Sequence, residues 1–264
     1  MDRNARRWIP ALPLKKDGAT SRVIHLKERS MAMWKQDLIL RNPLRLLGHE
    51  NEDIIAPGQF GAVLARAGVG KTALIIQIAL NTMLRSKNVL HISLNEPVGK
   101  VNLWYQEVLV RLAQQYQVPH LDQLWDAIVS HRFIMTFQVE GFSAPKLEER
   151  LTDLTMQKIF TPDILLIDGQ PFDQEGPAVL KELKALAARL NLPMWFTITT
   201  HRHEAPAQDG LPVQLSAVQE LFEVAIALQP KEETVHIKAI KGCSLSDAQP
   251  PLVLDPATLL IQGS

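Results

Sequence analysis

Short apolar runs alternate with amphipathic stretches along most of this chain. The runs are GAVLA (61–65), NVLHISL (88–94), RFIMTF (132–137), DILLID (163–168), MWFTIT (194–199) and EVAIAL (223–228). Each has strand length and is apolar almost throughout, the pattern of strands covered on both faces. Between them lie helical segments near 71–85, 98–117, 144–159 and 177–191. The alternation predicts an α/β fold, a mostly parallel twisted sheet with helices on both faces. TVHIKAIK (234–241) and PLVLD (251–255) then follow without an intervening helix. They predict a C-terminal antiparallel hairpin extension at the sheet edge.

The first 56 residues do not join this alternation. Pro10, Pro13 and Pro43 interrupt them, and only Ser30 to Leu40 has the character of a short helix. The chain is therefore divided at the APGQF turn (56–60) into an N-terminal arm, 1–56, and an α/β domain, 57–264. Charge sharpens the division. The 28 basic and 28 acidic residues cancel overall, but residues 1–45 hold eleven Lys/Arg against four Asp/Glu. A basic leader on an acidic body is suited to polyanions or to the acidic body of a neighbouring copy; a solvated terminal arm is the plain alternative. A single cysteine, Cys243, rules out an internal disulfide and a cysteine-based zinc cage. No apolar run reaches the ~18 residues of a membrane span, and no apolar leader follows Met1, so a cytoplasmic protein is expected.

The chemistry begins at ARAGVGKT, Ala65 to Thr72. It comes close to G-x-x-x-x-G-K-[ST], with alanine in place of the first glycine. A phosphate-binding loop needs inward-facing backbone N–H groups ahead of a helix N-terminus. Gly68 and Gly70 permit that backbone, Lys71 supplies charge to the β- and γ-phosphates, and the Thr72 hydroxyl suits Mg²⁺. A predicted strand before the loop and an apolar helix after it set this match apart from a chance Gly-Lys-Thr. Asp168 closes the run DILLID and offers a strand-end carboxylate for the same metal; the plain reading is a turn residue. Glu96 follows strand 88–94 and is the candidate for orienting an attacking water, while Asn95–Pro97 also reads as a helix start capped by Asn95. Val101, Trp104, Tyr105, Val108, Leu109 and Leu112 share one helical face and read as core. His201 and His203 lack a third ligand and read as loop residues rather than a metal site.

From Gly58 to Gly242 these residues resemble the RecA-like P-loop ATPases, most closely the ATPase domain of DnaB-type replicative helicases, with KaiC-like ATPases also similar. GQFGAVLARAGVGKTALIIQIALN looks like the phosphate-loop segment of the helicases, where Ala-Arg often opens the loop. VLHISLNEP resembles their strand ending in Ser-Leu-Glu, DILLIDGQ their metal-binding strand, and LKALAARLNLPMWFTITTHR the strand that ends in a γ-phosphate sensor. EVAIAL with TVHIKAIKG resembles the closing strand and hairpin.

The resemblance implies an ATP and Mg²⁺ site and a homo-oligomer hydrolysing ATP at subunit boundaries. Ala65, Arg66, Ala67, Gly68, Val69, Gly70, Lys71 and Thr72 would cradle phosphate. Thr72 and Asp168 would hold Mg²⁺, Lys71 and Glu96 would serve catalysis, and Thr199 and His201 would stand at the sensor. Lys238 or Lys241 would act in trans in place of an arginine finger, without its forked contacts. Other departures are Asn95, inserted before the glutamate, and the basic arm, which stands where the helicases carry a helical domain. An ATP-sensing interaction module with weak hydrolysis and a DNA-processing helicase- or recombinase-like factor are the alternatives. Nucleic-acid binding is not supported by charge: loop 201–214 mixes Arg202 with Glu204 and Asp209 and has no aromatic ring.

Overall fold

In the computed structural model, the described residues are 31–47, 53–172, 176–201, 207, 209–242 and 252–262. Among the described residues nine strands form one sheet: β1 (Phe60–Ala65), β2 (Val89–Ser93), β3 (Arg132–Thr136), β4 (Ile164–Asp168), β5 (Met194–Thr199), β6 (Val224–Lys231), β7 (Thr234–Lys241), β8 (Val253–Leu254) and β9 (Ile261–Gln262). Their order is β3-β2-β4-β5-β1-β6-β7-β8-β9. Pairings from β3 to β6 are parallel, and those from β6 to β9 are antiparallel. This is the α/β fold with a mostly parallel mixed sheet that the run pattern predicts.

The strands are apolar because both faces are covered. On β1, Val63 and Ala65 face one core with α2 (Lys71–Leu84) and α3 (Val98–Gln115). Phe60, Ala62 and Leu64 face the other, with α5 (Ala144–Met156) and α6 (Gly176–Leu190). Strand β4 divides in the same way, Ile164 and Leu166 against Leu165 and Ile167. Successive strand side chains point to opposite faces, so a strand serving two cores can spare few polar positions.

Three elements differ from the sequence expectation. Helix α4 (Leu121–Ile128) was hidden by its eight residues, too few for a clear apolar period. The tail resolves into the short pair β8 and β9, joined across the turn at 255–259. The helix expected near Ser30–Leu40 spans 31–41 and is designated α1. It does not stand apart: Leu38, Leu44, Leu47 and Ile55 are buried with the α2 core. Residues 1–30, the most basic part of the arm, and Cys243 lie outside the described residues.

Gly61 marks a place in the sheet with no room for a side chain. It pairs with Trp195 on β5, and a Cβ at residue 61 would stand 2.7 Å from the indole ring. Trp195 is buried and has nowhere to retreat. Gly61→Ala is therefore expected to destabilise the protein by about 2 kcal/mol, measured as a lower urea midpoint with unchanged slope.

Candidate functional site

The carboxyl ends of β1, β2 and β4 meet the start of α2, the place where α/β sheets gather ligands. Beyond Ala65 the chain turns through exposed Arg66 and Ala67, then Gly68 at φ 76° and Gly70 at φ 114°. Both angles lie in the left-handed region that glycine tolerates. A Cβ at Gly68 would meet nothing within 4 Å, so the loop is open there. The helical ladder begins with Leu74 N–H to Gly70 C=O at 3.0 Å, which puts the amides of 71–73 ahead of the first rung. Val69 packs back onto the α2 core.

Lys71 folds over this loop. Its ammonium donates to the carbonyls of Ala65 and Arg66, both at 3.2 Å. Burial lowers its pKa from the ordinary lysine value, and the nearby Asp168 carboxylate opposes that shift. The Thr72 hydroxyl donates to Asp168 Oδ2 at 2.9 Å. Asp168 Oδ1 accepts from the Thr197 hydroxyl at 2.6 Å, and Gly169 N–H donates to the same hydroxyl oxygen at 3.1 Å. Sequence reasoning missed Thr197, although a hydroxyl in the middle of MWFTIT was its signal. It is buried, and it orients the carboxylate.

Glu96 stands on a built turn. Ser93 Oγ donates to the Glu96 carbonyl at 2.9 Å and accepts from the Glu96 N–H at 3.0 Å. The Glu96 carboxylate is paired with Lys100 at 2.7 Å. Asn95 does not cap α3. The residue before the helix is Pro97, in extended conformation and without a side-chain cap, and the Asn95 amide packs against Gly169. The extra residue before the glutamate is thus spent on a contact with the β4 end.

Gly68, Gly70, Lys71, Thr72 and Glu96 line a cavity of about 400 Å³ between α2 and α3. Ile76, Trp104, Val108 and Leu259 supply its apolar wall, and Glu107 and Arg111 its polar rim. Trp104 is half-buried, so it packs on the core and also faces the cavity, which its helical period alone did not reveal. Thr200 and His201 instead line a separate cavity of about 680 Å³ with Ala65, Arg66 and Lys238. Thr199 is exposed at the end of β5, opposite Ala65. Lys238 is exposed, whereas the Lys241 ammonium donates to its own chain's Gln219 carbonyl at 2.7 Å. Arg202, His203 and Glu204 lie outside the described residues.

The donor set fits a hard cation that arrives with an anionic ligand. Among the described residues no group of three or more His, Cys, Asp or Glu could hold a metal alone. Thr72 and Asp168 offer one hydroxyl and one carboxylate, the sparse protein share that suits Mg²⁺ with phosphates and water. Among the described residues no helix is long and apolar enough to cross a membrane. Compared with protein-family models and with curated proteins, the chain matches none.

Behind the site, His91 is buried on β2 with Nδ1 3.0 Å from the Tyr105 hydroxyl, and its Nε2 has no partner. Burial, opposed by Asp168 and aided by Arg132, lowers its pKa to about 4. Tyr105 is pushed well above its usual range, chiefly by burial. In the unfolded chain His91 titrates near its ordinary value, so between about pH 6.5 and 4 the unfolded state binds the extra proton. Stability therefore falls as pH drops through that window, by on the order of 3 kcal/mol at its lower end. Urea unfolding at pH 7, 5.5 and 4 checks this, and His91→Gln should remove most of the slope.

Proposed function

We propose that the chain is a Mg²⁺-dependent ATP-binding protein with a RecA-like ATPase fold that hydrolyses ATP as an oligomer. One observation carries the reading: Gly68, Gly70, Lys71 and Thr72 line one cavity of about 400 Å³, and Thr72 there bonds the Asp168 carboxylate. Few ligands ask for a cation, several backbone amides and a hydroxyl–carboxylate metal seat together; a nucleoside triphosphate does.

In this reading the first-turn amides of α2 receive phosphate oxygens. Lys71 exchanges its two backbone carbonyls for the β- and γ-phosphates. Thr72 and Asp168 would hold Mg²⁺, which would supply positive charge to the phosphates. Thr197 keeps the Asp168 carboxylate oriented for that role. Glu96 reaches the same cavity and orients the attacking water once Lys100 releases it. The base stacks on Trp104 against Ile76 and Leu259. Thr199 and His201 stand beside Ala65 and Arg66 as sensors facing the next subunit, and Lys238 or Lys241 crosses the boundary.

A second reading, an ATP-sensing module with poor turnover, is favoured by two contacts. Glu96 is held by Lys100, and Lys241 is held within its own chain. Binding and multiple-turnover phosphate release, measured together, separate the two readings. Lys71→Ala is expected to weaken Mg·ATP binding ~100-fold, since it removes a charge-assisted contact to phosphate. Glu96→Gln should leave affinity within about threefold and cut turnover ~100-fold. Turnover per subunit should rise with protein concentration; a constant value would remove the trans residues from the mechanism.

A further inference from the structure

Gln77 is an amide in the middle of the apolar stretch Ala73–Leu80 of α2 and is buried. Its side chain leaves α2 to hold the turn between β8 and β9. Nε2 donates to the Leu259 carbonyl at 2.9 Å, and Oε1 accepts from the Ile261 N–H at 3.0 Å. Leu259, the first of these two residues, has φ 57°, a left-handed conformation that leucine rarely adopts. Such strain persists only where the surroundings over-determine it. Here Leu259 N–H also donates to Asp255 C=O at 2.7 Å, and Asp255 N–H to Leu260 C=O at 3.0 Å.

The strained residue is the one whose side chain enters the cavity beside Trp104. Its neighbours Leu260 and Ile261 turn away into the core. Leu254 of the same hairpin lies against Gly70, where a Cβ would come within 2.6 Å of its Cδ2. The hairpin is thus fastened to α2 at both Gly70 and Gln77, and the fastening aims one apolar side chain across from one indole.

We infer that Gln77 and Leu259 form a latch that builds the base-recognising wall of the cavity, with Leu259 the specificity-determining contact and Gln77 its positioning residue. The inference rests on the nucleotide reading above. The latch acts on the base and not on the phosphates, because Lys71, Thr72 and Asp168 make none of its bonds.

The test compares ATP with inorganic tripolyphosphate, each with Mg²⁺, by calorimetry on the full chain. Wild type is expected to bind ATP about 30-fold more tightly than tripolyphosphate, the difference coming from the stacked base. Leu259→Gly, which suits the left-handed backbone and deletes the side chain, should lose about tenfold in ATP affinity and leave tripolyphosphate unchanged. Leu259→Asn should do the same, Leu259→Met should restore ATP binding, and Gln77→Ala should match Leu259→Gly. Unchanged ATP affinity in the Leu259 variants overturns the inference, as does parallel loss of both ligands. Wild type that binds tripolyphosphate and ATP equally also overturns it, while leaving the phosphate site standing. Wild type that binds neither ligand removes the nucleotide reading itself, and the latch falls with it.

Discussion

Asp168 is the carboxylate around which the site is organised. It ends a strand buried on both faces, where an unpaired charge would be expensive. Two hydroxyls make it tolerable, Thr72 from the start of α2 and Thr197 from the middle of β5. One side chain thereby ties three elements that are distant in sequence, and it does so where the loop after β1 opens. The Thr72 bond is the exchangeable member of the set, lying at the cavity mouth. The Thr197 bond lies deeper and keeps the carboxylate aimed whatever Thr72 does.

The same economy governs the loop. Lys71 is satisfied by the carbonyls of Ala65 and Arg66, so its partly buried charge is not left bare. An anion that takes this lysine must replace two neutral contacts with stronger charge-assisted ones, which phosphate oxygens do readily. Behind the loop, Ser93 fixes the turn that presents Glu96, and Asn95 fills the space left by Gly169.

Much of this was legible in the residues. The apolar runs were long enough, and the spaces between them helical enough, that the parallel sheet followed from periodicity. Lys71 and Thr72 were visible in the loop motif, and Asp168 and Glu96 at or just beyond strand ends; the fold brings Lys71, Thr72 and Glu96 to one cavity and bonds Asp168 to Thr72. Thr197 and Gln77 were not legible as partners. Each is a buried polar residue flanked by apolar neighbours, which reveals that something must satisfy it but not what. The double role of Trp104 was obscured because a helical face shows which residues point inward, not where the inward side meets a cavity. Helix α4 and strand β9 were too short to carry a period. Their positions are set by tertiary contacts that local pattern does not encode.

The strand order carries a consequence for how the chain is made. Strands β1 and β2 emerge early, yet they are not neighbours, since β4 and β5 lie between them. A nascent chain that has reached β3 holds the loop lysine and Glu96 but lacks the two strands that join them. At that point β2 has only β3 beside it and β1 has no native partner, the condition under which partly made sheets stick to one another. Assembly must wait for long-range pairing, which makes it slow. Joining β2 to β1 takes β4 and β5 together, and the same two strands deliver Asp168 to Thr72 and Thr197 to Asp168. A chain stalled before β4 therefore lacks both the sheet centre and the carboxylate of the site.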